Sequence, residues 1–258
     1  ARFDMTYTAA LEALDGLLTS GSVDLVSVMD HTPGQGQYRN VESLLANRMN
    51  SGLSEDQARA HIVRRIENAV PAEQILENLR RISDLCRSHG VAMASHDDDT
   101  IQKSHLMADI GVVISEFPVT MAAAQVSAER GLMVAMGAPN AMRGKSYSGN
   151  LSAREAHAAG LLHILAADYH PAAILPAIRA LSKSDADGLV GAVRLASKNP
   201  AKALLLNDRG EIATGKRADL TIVDVKDRVV QTFCAGEIIF ANGTWPEAAE
   251  QSAVFSLV

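Results

Sequence analysis

Short runs of β-branched and apolar residues recur along the first two-thirds of the chain, and longer stretches with apolar positions three or four apart lie between them. The short runs predict strands at 2–5, 23–29, 91–95, 112–116, 133–136 and 164–167, since a few apolar residues bounded by turn formers are strand-sized. Helical spacing marks 9–18, 54–68, 71–89, 119–130 and 153–159, several of them opened by a Ser, Thr or Pro start signal. Strands alternating with crossovers long enough for a helix predict βα units on a parallel sheet. Two more helices are expected at 171–181 and 187–197; beyond Gly210 the texture changes to short strands at 218–225 and 229–240, broken at Gly215, Gly236 and the Asn242-Gly243 pair. No repeat of fixed period and no low-complexity linker is present.

Composition narrows the function classes. With 258 residues, 47% of them hydrophobic, the chain can bury a sizeable core. Lys and Arg number 24 against 30 for Asp and Glu, a formal charge of -6 without long like-charge runs. No basic surface therefore advertises nucleic acid or an anionic membrane, and a small-molecule substrate is favoured. Cys86 and Cys234 lie far apart and outside any CxxC spacing, which argues against a disulfide scaffold or a thiolate zinc site and fits a reducing, cytoplasmic location. The longest apolar runs, such as 160–167, are too short to span a bilayer. The chain begins Ala-Arg-Phe-Asp, without an initiator Met or a signal sequence, so an upstream piece is expected.

Candidate chemistry collects at the ends of the strands. Four of the six end in Asp4, in Asp30-His31, in His96-Asp97-Asp98-Asp99 and near Asp168. In a (β/α)8 barrel, residues just past the C-terminal strand ends converge although they are distant in sequence. Imidazole nitrogen with carboxylate oxygen suits zinc, manganese or iron, ions that bring bound water toward hydroxide near neutral pH. A carboxylate on the last strand, Asp168, can take the proton of that water. A single His after a buried strand is more often a hydrogen-bonded structural residue, and that alternative stands for His31. His96 has stronger company: three successive carboxylates at the mouth of an apolar strand are costly unless solvated or paired with a cation. His61, His89, His105, His157, His163 and His170 lack such neighbours and read as structural. The segment 137–150 follows a strand and brings Gly, Ser and Asn together with Arg143 and Lys145. A loop of that composition offers donors and cations to a polyphosphate, or is simply a flexible loop with incidental basic residues.

Longer strings carry a resemblance. Met29-Asp-His-Thr-Pro-Gly-Gln, Ala94-Ser-His-Asp-Asp-Asp-Thr, Glu116-Phe-Pro-Val-Thr, Gly137-Ala-Pro-Asn, Arg143-Gly-Lys-Ser-Tyr-Ser-Gly-Asn and Asp168-Tyr resemble the α-D-ribose 1-methylphosphonate 5-triphosphate diphosphatase family of the carbon-phosphorus lyase pathway. Asn199-Pro-Ala and the segment 208–220 are similar to the closing segment of the amidohydrolase superfamily in general. The resemblance implies an α/β fold of the (β/α)8 TIM-barrel kind, with a barrel domain over 1–200 and a C-terminal segment over 201–258 contributing to a small β domain. It implies cleavage of the α-β phosphoanhydride of a phosphorylated ribose substrate with release of pyrophosphate. The implied cofactor is a divalent metal, zinc with manganese or iron as alternatives, binuclear in the complete protein; a homo-oligomer is compatible with it.

Carried over by position, His31 and His96 match the metal-binding histidines and Asp168 the final-strand base and ligand. Asn140, Arg143, Ser146 and Ser148 match substrate-loop positions, beside Lys145. Asp4 falls where the family carries Glu in an Arg-Cys-Glu string, one methylene longer, and Tyr147 where Ser-His-Ser is common. The His-x-His motif of the first strand is absent from these residues, so the first two strands and the opening of the β domain are expected upstream. Two other readings remain: hydrolysis of an amide or cyclic amidine on the same barrel, or an inactive fragment or paralogue.

Overall fold

Six strands, β1 (Arg2–Asp4), β2 (Leu25–Met29), β3 (Ala92–His96), β4 (Ile114–Glu116), β5 (Met133–Gly137) and β6 (Ile164–Ala166), lie side by side in chain order and all parallel. The computed structural model describes residues 1–146 and 149–243, in two units, Ala1–Leu205 and a second beginning at Leu206. Each strand falls on a run read from the sequence. β1 and β6 stand at the two edges of the sheet.

The alternation of side chains sorts the sheet into two faces. Phe3, Val26, Val28 and Met93 pack outward against Leu14 of the helix Leu11–Thr19 and against Leu79 and Ile82 of the helix Ala72–Ser88. Farther along, Val134, Met136 and Leu165 pack outward against Ala156, Ile178 and Leu181. The inner face is lined by Ala94, Ile114, Ala135 and Ile164, which meet Ala203. From that face the long Arg2 side chain on β1 reaches the Glu116 carboxylate on β4, 3.6 Å away.

Helix starts follow local chemistry. Ser54 and Ser152 form capping boxes with Gln57 and Glu155, and the Thr100 and Thr120 side chains accept from the amides of Lys103 and Ala123. Four helices went unread in the sequence: Val41–Asn50, Ile101–Asp109, Ala138–Arg143 and Lys198–Ala203. The third corrects the expectation of a loop over 137–150. Pro139 sits in its first turn, where its missing N–H costs nothing, and Gly144 ends it at φ 82°, with Arg154 donating to the carbonyls of Ala141 and Met142.

In the second unit β7 (Leu220–Val223), β8 (Val229–Cys234) and β9 (Glu237–Ala241) form an antiparallel sheet. The run read as 229–240 splits at Ala235 and Gly236, both at positive φ, the conformation of a tight hairpin turn. Among the described residues no helix is long and apolar enough to cross a membrane.

Leu79 is 1% exposed beneath the sheet. Leu79→Ala should lower unfolding stability by about 2–5 kcal/mol, as burying a large aliphatic group and then leaving a cavity implies, read as a shift of the urea midpoint. Leu17→Ala, at a 47% exposed position of the helix Leu11–Thr19, should change it by less than about 0.5 kcal/mol.

Candidate metal centre and its cavity

The C-terminal ends of β2 to β6, with Arg2 of β1, wall a cavity of about 310 Å³ whose lining also includes His31, His96, Asp97, Arg143 and Asp168. Three of its backbone turns are unusual. Asp97, Phe117 and Asp168 have φ of 54°, 58° and 53°, left-handed conformations that cost an L-residue with a Cβ about 1–2 kcal/mol and cluster at functional sites. Each follows the end of a strand (β3, β4 and β6), so the kink turns the next residues across the mouth of the sheet.

His96 is the last residue of β3 and 5% exposed. Parallel register sets it beside Glu116, the last residue of β4. Its Nδ1 lies 2.7 Å from Glu116 Oε2. With the proton on Nδ1 donated to that carboxylate, Nε2 is left as a lone pair. Glu116 Oε2 also accepts from the Ser27 hydroxyl. Burial pushes the Glu116 carboxyl up, but the bond to His96, its charge, the Ser27 bond and Arg2 together hold it below the usual value.

His31 follows β2. Burial and then the neighbouring His96 push its pKa down, with Arg65 and Arg2 adding to this and Asp4 opposing it, so the ring is neutral near pH 7. Arg65 donates to the His31 carbonyl at 2.7 Å, and Tyr38 packs edge-on at 5.7 Å between ring centroids. The loop carrying it folds on Asp30, whose carboxylate accepts from the amide of Thr32 and from Gln35 Nε2. Gly36 seats this loop against Asp97: at φ 55° a Cβ there would stand 3.3 Å from the Asp97 carbonyl.

His31, His96 and Asp97 each offer one ligand atom, and these atoms all lie within 4.8 Å of one another. Asp97 Oδ2 is buried and accepts no hydrogen bond, lying 3.4 Å from His96 Nε2 and 3.9 Å from His31 Nε2. Burial raises the Asp97 carboxyl pKa, and His96 and Lys103 oppose the rise. An orphaned buried carboxylate oxygen facing two imidazoles is costly alone and is relieved by a cation, so this donor set fits a divalent metal.

Of the other residues read from the sequence, Asp168 lines the cavity, is exposed, and turns its Oδ2 toward Gly137, where a Cβ would stand 3.6 Å away. Asn140, Arg143 and Ser146 line the same cavity. The Asn140 amide donates to the Leu151 carbonyl and accepts from the Ala153 amide, both at 3.0 Å, so it braces the segment that follows. Arg143 Nη1 donates to the Tyr169 hydroxyl at 3.1 Å. Asp4 and Lys145 are exposed and not among the lining residues; Asp4 Oδ1 accepts from the amide and hydroxyl of Thr6. Ser148 and Tyr147 lie outside the described residues. Sequence reasoning passed over Glu116 and Asp97 as individuals. Glu116 was visible as a carboxylate closing an apolar run, but only strand register makes it the partner of His96. His157, bonded to Asp185 at 2.9 Å, and His163, accepting from the Val134 amide at 3.1 Å, have structural partners.

Comparisons with known proteins agree on the kind of molecule. Residues 49–239 match the amidohydrolase family. An Escherichia coli (strain K12) protein named α-D-ribose 1-methylphosphonate 5-triphosphate diphosphatase is 40% identical over 232 residues, 88% of this chain and 60% of that protein. The chain thus spans less than two-thirds of the length of this relative. Among solved structures, 5-methylcytosine deaminase from Klebsiella pneumoniae, liganded with 5-fluorocytosine, superposes with a TM-score of 0.52 at 17% identity, over 95% of this chain and 71% of that one. N-acetyl-D-glucosamine-6-phosphate deacetylase from Mycobacterium smegmatis gives a TM-score of 0.53 at 17% identity, over 90% and 71%. These likenesses concern the fold. Taken with the six-stranded parallel sheet, the family match over most of its length shows that the chain belongs to the amidohydrolase family.

Proposed function

We propose that this cavity is the active site of a metal-dependent hydrolase that cleaves the α-β phosphoanhydride of α-D-ribose 1-methylphosphonate 5-triphosphate and releases pyrophosphate. The observation that carries the reading is a metal-fitting trio, His31, His96 and Asp97, in one cavity with the Arg143 guanidinium. The 40% identical relative named for this substrate supports the choice of phosphoanhydride over amide. The sheet is read as part of a (β/α)8 barrel, in which functional groups gather at the C-terminal strand ends.

His31, His96 and Asp97 hold the metal, zinc by the balance of imidazole and carboxylate, with manganese or iron as alternatives and a second ion in the complete protein. When bound, a divalent ion supplies Lewis acidity and brings the pKa of water near neutrality. The His31 ring, whose pKa burial and then His96 lower, would offer one nitrogen to the ion, and His96 would offer Nε2. Glu116 fixes the His96 tautomer through Nδ1 and so acts on the ligand from behind. Asp168 accepts the proton of the attacking water. Arg143, with Lys145, Ser146 and Ser148 of the same segment, stabilises negative charge growing on the phosphate oxygens, and Asn140 keeps that segment in place. Asp4 is assigned the remaining carboxylate position at the mouth of β1.

The direct test incubates the protein with α-D-ribose 1-methylphosphonate 5-triphosphate and, in parallel, with N-acetylglucosamine 6-phosphate. Pyrophosphate release from the first without deacetylation of the second is expected; deacetylation alone sinks the reading. Arg143→Ala should lower kcat/KM by about 10²–10³-fold, the usual loss when one preorganised charge donor is removed, with an unchanged thermal midpoint. Normal turnover by that variant would remove Arg143 from the mechanism. Glu116→Gln should weaken metal affinity by about 10–100-fold, measured by competition with a chromophoric chelator.

A further inference from the structure

We propose that Arg154 is a positioning residue for Arg143: its guanidinium fixes the last turn of the helix Ala138–Arg143, and with it the point from which the Arg143 side chain enters the cavity. This rests on the reading of Arg143 as the group that meets the phosphate oxygens, and it names the residue that aims that group.

Arg143 is the final residue of a helix of six, which is less than two turns. A helix that short does not hold its own shape in water, because forming its first turn fixes several residues for few hydrogen bonds and its last carbonyls have no partner within it. A side chain on its last residue inherits that looseness unless the end is tied from outside. Arg154, from the next helix, Ala153–Ala158, ties it. Its Nε donates to the Ala141 carbonyl at 2.7 Å and its Nη2 to the Met142 carbonyl at 2.8 Å, so one planar fork spans two successive carbonyls of the terminal turn. The positive charge also lies at the negative end of that helix. The fit is close: Gly144 leaves the helix at φ 82°, and a Cβ there would stand 3.2 Å from the guanidinium carbon of Arg154. Two further contacts close the same neck. The Ser152 hydroxyl donates to the Gly144 carbonyl at 3.1 Å, and the Asn140 side chain bonds Leu151 and Ala153. Arg143 and Asn140 line the cavity, whereas Arg154 is not among its lining residues. Its influence on turnover therefore passes through the helix it terminates. A lysine at this position would keep the charge but not the fork. The competing role is a general one, in which Arg154 stabilises the fold with no particular consequence for Arg143.

A double-mutant cycle separates the two roles, with pyrophosphate release from α-D-ribose 1-methylphosphonate 5-triphosphate measured for the full-length wild type, Arg143→Ala, Arg154→Ala and the pair. If Arg154 aims Arg143, Arg154→Ala lowers kcat about 10–100-fold, the order of loss that a displaced catalytic group brings, and lowers it no further once Arg143 is already alanine. Arg154 is exposed, so added guanidinium ion, kept well below denaturing concentration, restores turnover to Arg154→Ala but not to the pair. Arg154→Lys, which keeps the stem and the charge, lowers kcat in the same direction and takes the place of Arg154→Ala in the cycle if the alanine variant does not fold. The same fractional loss with and without Arg143, or a wild-type kcat in both Arg154 variants, overturns the proposal alone. If the wild type releases no pyrophosphate, the phosphoanhydride reading falls and the proposal with it.

Discussion

The hydrogen bond from His96 Nδ1 to Glu116 Oε2, 2.7 Å long, joins the last residues of two adjacent parallel strands. It decides which nitrogen of His96 faces the cavity, and hence whether the trio with His31 and Asp97 has a donor at its centre. Removing Glu116 would leave His96 Nδ1 without its partner in a buried position, whereas Glu116 without His96 would keep only Ser27 and Arg2 against the desolvation that opposes its charge. Parallel pairing supplies the alignment without any contribution from loops: once Ala94 pairs with Ile114 and Ser95 with Ser115, His96 and Glu116 must sit side by side.

Behind that pair a second buried carboxylate keeps the turn after β3 in shape. Asp98 is fully buried, accepts from the hydroxyls of Ser95 and Ser115, meets Lys103 Nζ at 3.7 Å, and receives the Val119 amide at its carbonyl. Desolvation raises its carboxyl pKa, with Lys103 and the two serines opposing the rise. Asp99 accepts from the Gly36 amide at 2.9 Å. Of three successive aspartates, one therefore faces the cavity and two tie it to its surroundings, which is how the strained φ of Asp97 is held.

Much of this was legible in the sequence, for identifiable reasons. The six strands are apolar runs with few polar interruptions, as parallel strands covered on both faces must be. Of the residues closing those runs, His31, His96 and Asp168 line a single cavity. What escaped was anything that depends on register or on φ. The triple aspartate string reads as one acidic cluster, yet only a left-handed Asp97 separates the roles of its members. The helix Ala138–Arg143 escaped because six residues rich in Ala, with Asn and Pro among them, carry no helical period of their own; Gly144 and Arg154 terminate it from outside.

The inner face of the sheet carries the groups that meet at the His96–Glu116 pair. Glu116 on β4 is reached by Ser27 from β2 and by Arg2 from β1, and its register partner on β3 is His96. The outer face packs against large side chains of the helices, Leu79, Ile82, Ile178 and Leu181, away from these charges. The division of labour is between faces: the outer one packs against helices, and the inner one brings charged groups from strands β1 to β4 together.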